Sequence, residues 1–417
     1  MFKITYALYK LAPEKMQTKL RSGLRALGIW NFFEAIYFRQ TLRPPKKMLS
    51  GTDLTWEQFE NQVLKFRDSY KGIFIQERVI PWNTPLFQRP QHVATALGKL
   101  GFLVIYQTLP FGADEKIRDV RQVSPNVWVT HRDEPSYIPL AIKSTYSGTP
   151  SYPEKKHANQ TIIYEYVDHI DAQIVGSDAV EKLNKKLQWA LSGGADHIAA
   201  SATVLFEEAS IAHDSVFLIP NGVDFDYFQS ELEKREEIEN LEEFCGQFSH
   251  VIGYFGALAP WLWHELINDL ITENPKVGFV IIGPDYDGGS KGLIEEKNVM
   301  YVGPISHHKI PSYARYFDFG IIPFRRGEIA KSTNPLKLFE YFAAGIPVIV
   351  TEDLKECLVY ENYVSQIMNA RELPDIIRLV DSKKRNPSFS LEMKEIARSN
   401  SWQNRATTIE SMLGRMF

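Results

Sequence analysis

The chain has 417 residues, 44% apolar and 24% charged, with a net charge of −4; since single cores stop growing near roughly 250–300 residues, two large units are expected. So small a charge excludes a protein that binds nucleic acid through its global field, and two distant cysteines, Cys245 and Cys357, exclude a disulfide framework and a C-x-x-C metal site while fitting a reducing cytoplasm. No run reaches the ~18 apolar residues that span a bilayer, and no apolar leader with a small-residue cleavage site opens the chain.

In chain order, residues 1–70 come first as a basic helical extension. The first fifty residues hold ten lysines and arginines against Glu14 and Glu34, a balance of +8 that leaves −12 for the remainder. Leu20, Leu24, Leu27, Trp30, Phe33 and Tyr37 recur at helical spacing, and Ile29, Phe32 and Ile36 widen the stripe. A basic helix with aromatic residues on its apolar side suits an anionic membrane surface, which would place residues 13–47 peripherally on the inner face of the cell membrane. A helix packed on the protein's own body fits the same pattern.

From Gly72 onward, short β-rich runs alternate with helical patterns. Strands are predicted at Ile73–Val79, Phe102–Gln107, Val127–Thr130, Ile162–Val167, His197–Ala200 and Val216–Ile219, with helices at Pro90–Leu100, about 178–192 and 203–211. After the turn-rich Pro220-Asn221-Gly222-Val223-Asp224 and the acidic stretch Glu231–Glu243, the alternation restarts. Strands follow at Val251–Phe255, Val277–Ile282, Val299–Val302, Phe319–Pro323 and Ile346–Val350, with helices near 262–272, 308–316 and 335–344. Strands separated by helices of this length make parallel βαβ units, so the fold class is α/β with two Rossmann-like doubly wound sheets facing a cleft. The restart divides the chain into a first domain at 71–225 and a second at 226–400, with 401–417 as a final helix. Ligands bind beyond the carboxyl ends of such strands, which directs attention to the loops after Val79, Val167, Phe255, Ile282, Val302 and Pro323, where Asp168-His169, Gly256-Ala257, Gly283 and Gly303-Pro304 lie.

The run from Ser332 and Thr333 through Asn334-Pro335-Leu336-Lys337 to Val350 is the most informative. Asn334 suits an N-cap, Pro335 the first helical position, and Gly345 the C-cap before a buried strand. Such a helix points its free amides at the top of the sheet and makes an anion site suited to a diphosphate. Lys337 in the first turn opposes the helix dipole and becomes sensible if an anion sits there. Glu340, three residues on, shares its face and can accept the hydroxyls of a ribose. An ordinary surface Lys–Glu pair has the same spacing.

Here the chain resembles the GT-B glycosyltransferases, especially family 4 and its relatives in cell-envelope polysaccharide synthesis. The likeness spans about 72–417 and rests on six segments: Phe87-Gln88-Arg89-Pro90-Gln91-His92, Pro220–Asp224, Gly253-Tyr254-Phe255-Gly256-Ala257-Leu258, Asn298–Pro304, Asn334–Val350, and Ser401-Trp402-Gln403-Asn404-Arg405-Ala406. It implies transfer of a sugar from a nucleotide sugar, UDP-linked by resemblance, with no metal or other cofactor and with retained configuration. It implies as well that Glu340 takes the donor ribose and that the last helix crosses back to the first domain. The chain departs from the family pattern in three places. Ser332 stands where a second glutamate is usual, Ala257 follows Gly256 where a basic residue is common, and Trp261-Leu262 replace a second cation. Neutralising the leaving diphosphate then falls to Lys337, with Arg325, Arg326 and Lys331 as helpers.

On the acceptor side, Asp168 can deprotonate a hydroxyl or steady positive character on the sugar ring, with His169 as second choice; capping of the next turn is the plain alternative. Trp82, Asn83, Arg89 and His92 make an aromatic and amide-bearing surface suited to a saccharide or lipid-linked glycan acceptor. His307-His308 lacks a ligand set, so no metal site is expected there. Basic residues are not interleaved with aromatics near the cleft loops, so no nucleic-acid partner is expected. A nucleotide-sugar epimerase of the same fold and a non-catalytic nucleotide-sugar-binding protein are the rival readings.

Overall fold

The computed structural model describes residues 53–84, 87–234, 237–286 and 288–414; the basic stretch 13–47 lies outside them. Nine strands form the first sheet: β1 (Asp53–Leu54), β2 (Ile73–Gln76), β3 (Leu103–Gln107), β4 (Val120–Ser124), β5 (Val127–Thr130), β6 (Ile142–Tyr146), β7 (Thr161–Tyr166), β8 (His197–Ala200) and β9 (Val216–Leu218). Their order is β1-β4-β5-β3-β2-β6-β7-β8-β9, parallel from β5 through β9, with β4 and β1 antiparallel at one edge. Helices cover both faces, so β2, β3 and β5 are buried along their whole length and read as continuous apolar runs.

The second sheet is wholly parallel: β10 (His250–Phe255), β11 (Val277–Ile282), β12 (Val299–Gly303), β13 (Phe319–Ile322), β14 (Val348–Val350) and β15 (Val364–Gln366), in the order β12-β11-β10-β13-β14-β15. This is the doubly wound 3-2-1-4-5-6 arrangement, whose strand order reverses between β10 and β13 and opens a crevice at their carboxyl ends. In the first sheet the reversal falls between β2 and β6.

Three strands of the first sheet, β1, β4 and β6, escape a hydrophobic reading. β6 is the polar run Ile142-Lys143-Ser144-Thr145-Tyr146, yet it lies between β2 and β7 with Lys143, Ser144 and Thr145 buried. Two of its polar side chains find partners outside the strand: Lys143 donates to the Glu154 carbonyl at 2.6 Å, and buried Lys186 donates to Thr145 Oγ1 at 2.7 Å. β1 is tied to the edge by polar contacts, an Asp53–Arg121 ion pair and a bond from the Trp56 amide to Asp119 at 2.9 Å. Residues 53–70 thus pack against the first sheet, with Phe59 and Val63 in one core with Ile73 and Ile75.

The chain crosses between the domains twice, and the crossings run side by side. The Val223 amide donates to the Asn400 carbonyl at 3.2 Å, and the Trp402 amide donates to Val223 at 3.0 Å. Gly222 permits this approach, since a β-carbon there would stand 2.7 Å from the Asn400 oxygen. Beyond the second crossing, helix Trp402–Gly414 lies along helix Arg89–Leu100, and Trp402, Ala406, Ile409, Met412 and Leu413 join the first domain's core.

Candidate functional site

Three glycines end three adjacent strands of the second sheet, Gly256 after β10, Gly283 after β11 and Gly303 in β12, with φ of 144°, 147° and 80°. The Gly256 amide bonds to Ile282 and the Gly283 amide to Gly303, at 2.9 and 3.0 Å. They form a shelf too close-packed for side chains at Gly283 but open at Gly303. Ala257 adds no charge to it; Tyr254 Oη–H donates to the Ala257 carbonyl at 2.8 Å. Pro304 is exposed beside the shelf.

The helix after β13 runs from Leu336 to Ala343 and points its start at this shelf. Pro335 occupies the N-cap position with no side-chain cap, which corrects the assignment of that role to Asn334. The Asn334 amide is committed elsewhere: Oδ1 accepts from the Asn221 amide at 3.0 Å and Nδ2 donates to Glu356 at 3.0 Å. Asn334 therefore clasps the domain junction instead of facing a donor. Leu336 packs toward the first domain's core.

Lys337 leaves the first turn and lies 5.3 Å above each of the Tyr254 and Phe324 rings. Its ammonium rests over the shelf, 3.0 Å from where a β-carbon on Gly256 would sit. Burial lowers its pKa to about 8, although the Glu340 carboxylate opposes the shift. Among the described residues nothing hydrogen-bonds or ion-pairs with this ammonium. The cations assigned as helpers differ: Arg325 forks onto Glu265 at 2.9 and 2.7 Å, Arg326 pairs with Glu352 at 2.5 Å, and Lys331 pairs with Glu328 at 2.9 Å. Each carries its own ion-pair partner, whereas Lys337 makes no ion pair among the described residues and has Glu340 only nearby.

Ser332 and Thr333 turn their hydroxyls back onto the carbonyls of Glu328 and Ile329, each at 2.6 Å. Neither hydroxyl faces the shelf, because a short helix at Glu328–Ser332 offers them nearer acceptors. Glu340 is 6% exposed, and Oε1 of its carboxylate meets His307 Nε2 at 2.7 Å.

Across the cleft, β7 delivers Asp168 to the sheet's upper edge. Its pKa is raised to about 6 by burial, against the pull of nearby Arg89, and among the described residues no hydrogen bond or ion pair engages it. His169 is half-buried and close enough to Glu328 of the other domain to favour that carboxylate's charged form. Asp171 does cap the following turn, accepting from the Gln173 amide at 2.7 Å.

The acceptor-side residues divide. Arg89 is 1% exposed, with Nε on Glu165 at 2.8 Å and Nη1 on Asn221 at 3.2 Å. It is an internal strut, which corrects its placement on an acceptor surface. Trp82 is buried edge-on against Tyr106, and both it and Asn83 are held by Asp114, which accepts from their amides at 2.6 and 2.9 Å. His92 stacks on Trp402 at 5.0 Å, and burial holds its pKa well below the usual imidazole value. Trp82, Asn83 and His92 line an interdomain cavity of about 900 Å³ that also takes in Phe87, Tyr227 and His307. Asp168, Lys337 and Glu340 do not line it.

Sequence reasoning missed Asp114, Glu356 and the partnership of His307 with Glu340. His307-His308 stood out as a motif, but only as a metal question, and a contact across thirty-three positions leaves no local trace.

Residues 263–411 match the family model described as glycosyl transferase-like. A protein of Bacillus subtilis (strain 168) named as the teichuronic acid biosynthesis glycosyltransferase TuaH is 25% identical over 256 residues, covering 58% of this chain and 64% of that protein, somewhat under two thirds of its length. Among solved structures, Anabaena HepE in complex with UDP and glucose superposes with a TM-score of 0.60 at 16% identity, over 82% of this chain and 99% of that one. The trehalose-6-phosphate synthase OtsA gives 0.60 at 11% identity over 82% and 99%, and a glycosyltransferase from Rickettsia africae ESF-5 gives 0.56 at 16% over 82% and 98%. Identities this low speak to the fold alone. The chain thus has the GT-B fold of two Rossmann-like sheets facing each other, and residues 263–411 within it match the glycosyl transferase-like family model.

Proposed function

We propose that this chain is a glycosyltransferase that moves a sugar from a UDP-linked donor to a saccharide or lipid-linked glycan acceptor in cell-surface polysaccharide synthesis, without a metal ion and with retained configuration. The Lys337 ammonium over a glycine shelf, in no ion pair among the described residues and at the start of a helix without a side-chain cap, carries this reading. A diphosphate placed there meets backbone amides, the positive end of the helix and one cation that makes no ion pair among the described residues, Glu340 acting on it only through space. The teichuronic acid name of the relative and the UDP and glucose of the Anabaena structure support donor and pathway class by likeness.

In this scheme the sugar's C1–O bond to the diphosphate breaks and C1 bonds to the acceptor oxygen. Lys337 stabilises the charge that develops on the departing phosphate, and the acceptor's hydroxyl proton leaves with that diphosphate. Asp168, facing the cleft as a carboxylate, orients the acceptor or steadies the sugar ring. Glu340 takes ribose hydroxyls. Trp82, Asn83 and His92 line the cavity into which a longer acceptor extends, with aromatic faces for sugar rings.

A thermal-shift screen with nucleotide sugars in a metal chelator tests the donor, and labelled transfer to a glycan acceptor tests the reaction. Lys337→Ala is expected to lower turnover by about 10²-fold or more, as loss of one preorganised electrostatic group does; near-normal turnover would refute its role. No helix among the described residues is long and apolar enough to cross a membrane. The basic amphipathic pattern of residues 13–47 supports attachment to an anionic membrane surface, and failure to pellet with anionic liposomes at low salt would remove that part of the proposal.

A further inference from the structure

The carboxylate that the proposed reaction assigns to the donor ribose is not held by its own helix. Glu340 is nearly enclosed, and a carboxylate buried without a partner is costly. Its partner among the described residues is His307, from the loop after β12, with Nε2 2.7 Å from Oε1. A carboxylate only accepts, so that ring nitrogen carries the hydrogen. One oxygen of Glu340 is thereby occupied and the plane of the carboxylate set, leaving Oε2 for a ligand.

His307 is itself held by the other domain. Its ring lies nearly parallel to Phe87 at 6.1 Å and meets the edge of His92 at 5.3 Å. His92 stacks on Trp402, at the second domain crossing. The neighbouring His308 carbonyl accepts from Tyr227 Oη at 3.0 Å, which pins the loop from below. A chain of rings thus runs from Phe87 and His92 of the first domain to the carboxylate of the second.

We propose that His307 is a positioning residue for ribose recognition: it orients Glu340 through Nε2, and Phe87 and His92 orient His307, so the ribose site is complete only with the domains docked. This rests on the reading that Glu340 takes the ribose. His307 touches neither diphosphate nor transferred sugar in this scheme, and its effect falls on affinity for a ribose bearing its 2′-hydroxyl.

The test is titration calorimetry of the full chain with UDP and with 2′-deoxy-UDP. The wild type is expected to favour UDP by about tenfold, the usual size of one hydrogen bond to a charged group. His307→Phe keeps the ring packing and deletes the donor; it should lose most of that preference while melting near the wild-type temperature. His307→Gln, which returns an N–H at similar reach, should recover it, and Glu340→Ala should abolish it. An unchanged preference in His307→Phe beside its loss in Glu340→Ala would overturn the positioning role and leave the ribose reading standing. No preference in the wild type, or one that survives Glu340→Ala, would remove both.

Discussion

At the scale of single residues, two groups set the expected pH behaviour. Lys337 titrates near 8 in the folded chain and near 10.5 when unfolded, because burial disfavours its charged form. Between those values the unfolded state binds more protons, so this group's contribution to stability rises with pH from about 8 to about 10.5 and is a cost below that window. Lys337→Met should therefore stabilise the ligand-free protein at pH 7 by about 1–3 kcal/mol, a gain that fades toward pH 10.5, as denaturant melts at several pH values would show. Asp168 has the opposite sign: its folded pKa, raised to about 6, makes it a reluctant anion. The kcat/KM of transfer, which reports the free enzyme, is expected to be bell-shaped with limbs near 6 and near 8. Asp168→Asn should erase the acid limb, and a limb unchanged in that variant would assign it elsewhere.

At the scale of elements, the glycine shelf is where sequence and geometry are most tightly bound. A β-carbon on Gly283 would be driven into the Gly256 backbone, and φ there is 147°. Gly283→Ala should cost at least about 3 kcal/mol and displace Gly256 from beneath Lys337, so stability and UDP affinity fall together. Gly303, with φ of 80° and open space where a β-carbon would go, should tolerate alanine at about 1–2 kcal/mol. Equal costs at the two positions would contradict the shelf. The helix at Leu336–Ala343 is legible from its own residues, since Pro335 and Gly345 punctuate a strongly apolar run. Its cap is not, because Asn334 has two possible partners and only the folded chain brings Asn221 within reach.

At the scale of the whole molecule, Asn221 is the knot. Its Oδ1 accepts from Arg89 at 3.2 Å and its Nδ2 donates to the Asn334 carbonyl at 2.6 Å, while its own carbonyl accepts from Arg405 at 3.2 Å. Asn221→Ala should destabilise by about 2–4 kcal/mol, because it leaves one buried N–H group of Arg89 and the buried Asn334 carbonyl without that partner; denaturation midpoints that do not move would show the domains are joined elsewhere. The sequence by itself determined the two-sheet α/β plan, the strands from β10 to β14, the position of the helix Leu336–Ala343, and Lys337 and Glu340 on its face. These are local matters of period, punctuation and turn chemistry, and they survive without knowledge of distant partners. Tertiary structure decided the rest. The polar strand β6 could be buried only once Lys186 and Glu154 had come to it, and Arg89 became a strut only because Glu165 and Asn221 meet it. Arg325, Arg326 and Lys331 lost their free charge to carboxylates beside them, and His307 found Glu340. What a buried polar group does depends on which partner desolvates with it, and that partner is chosen by the fold rather than by neighbours in the chain.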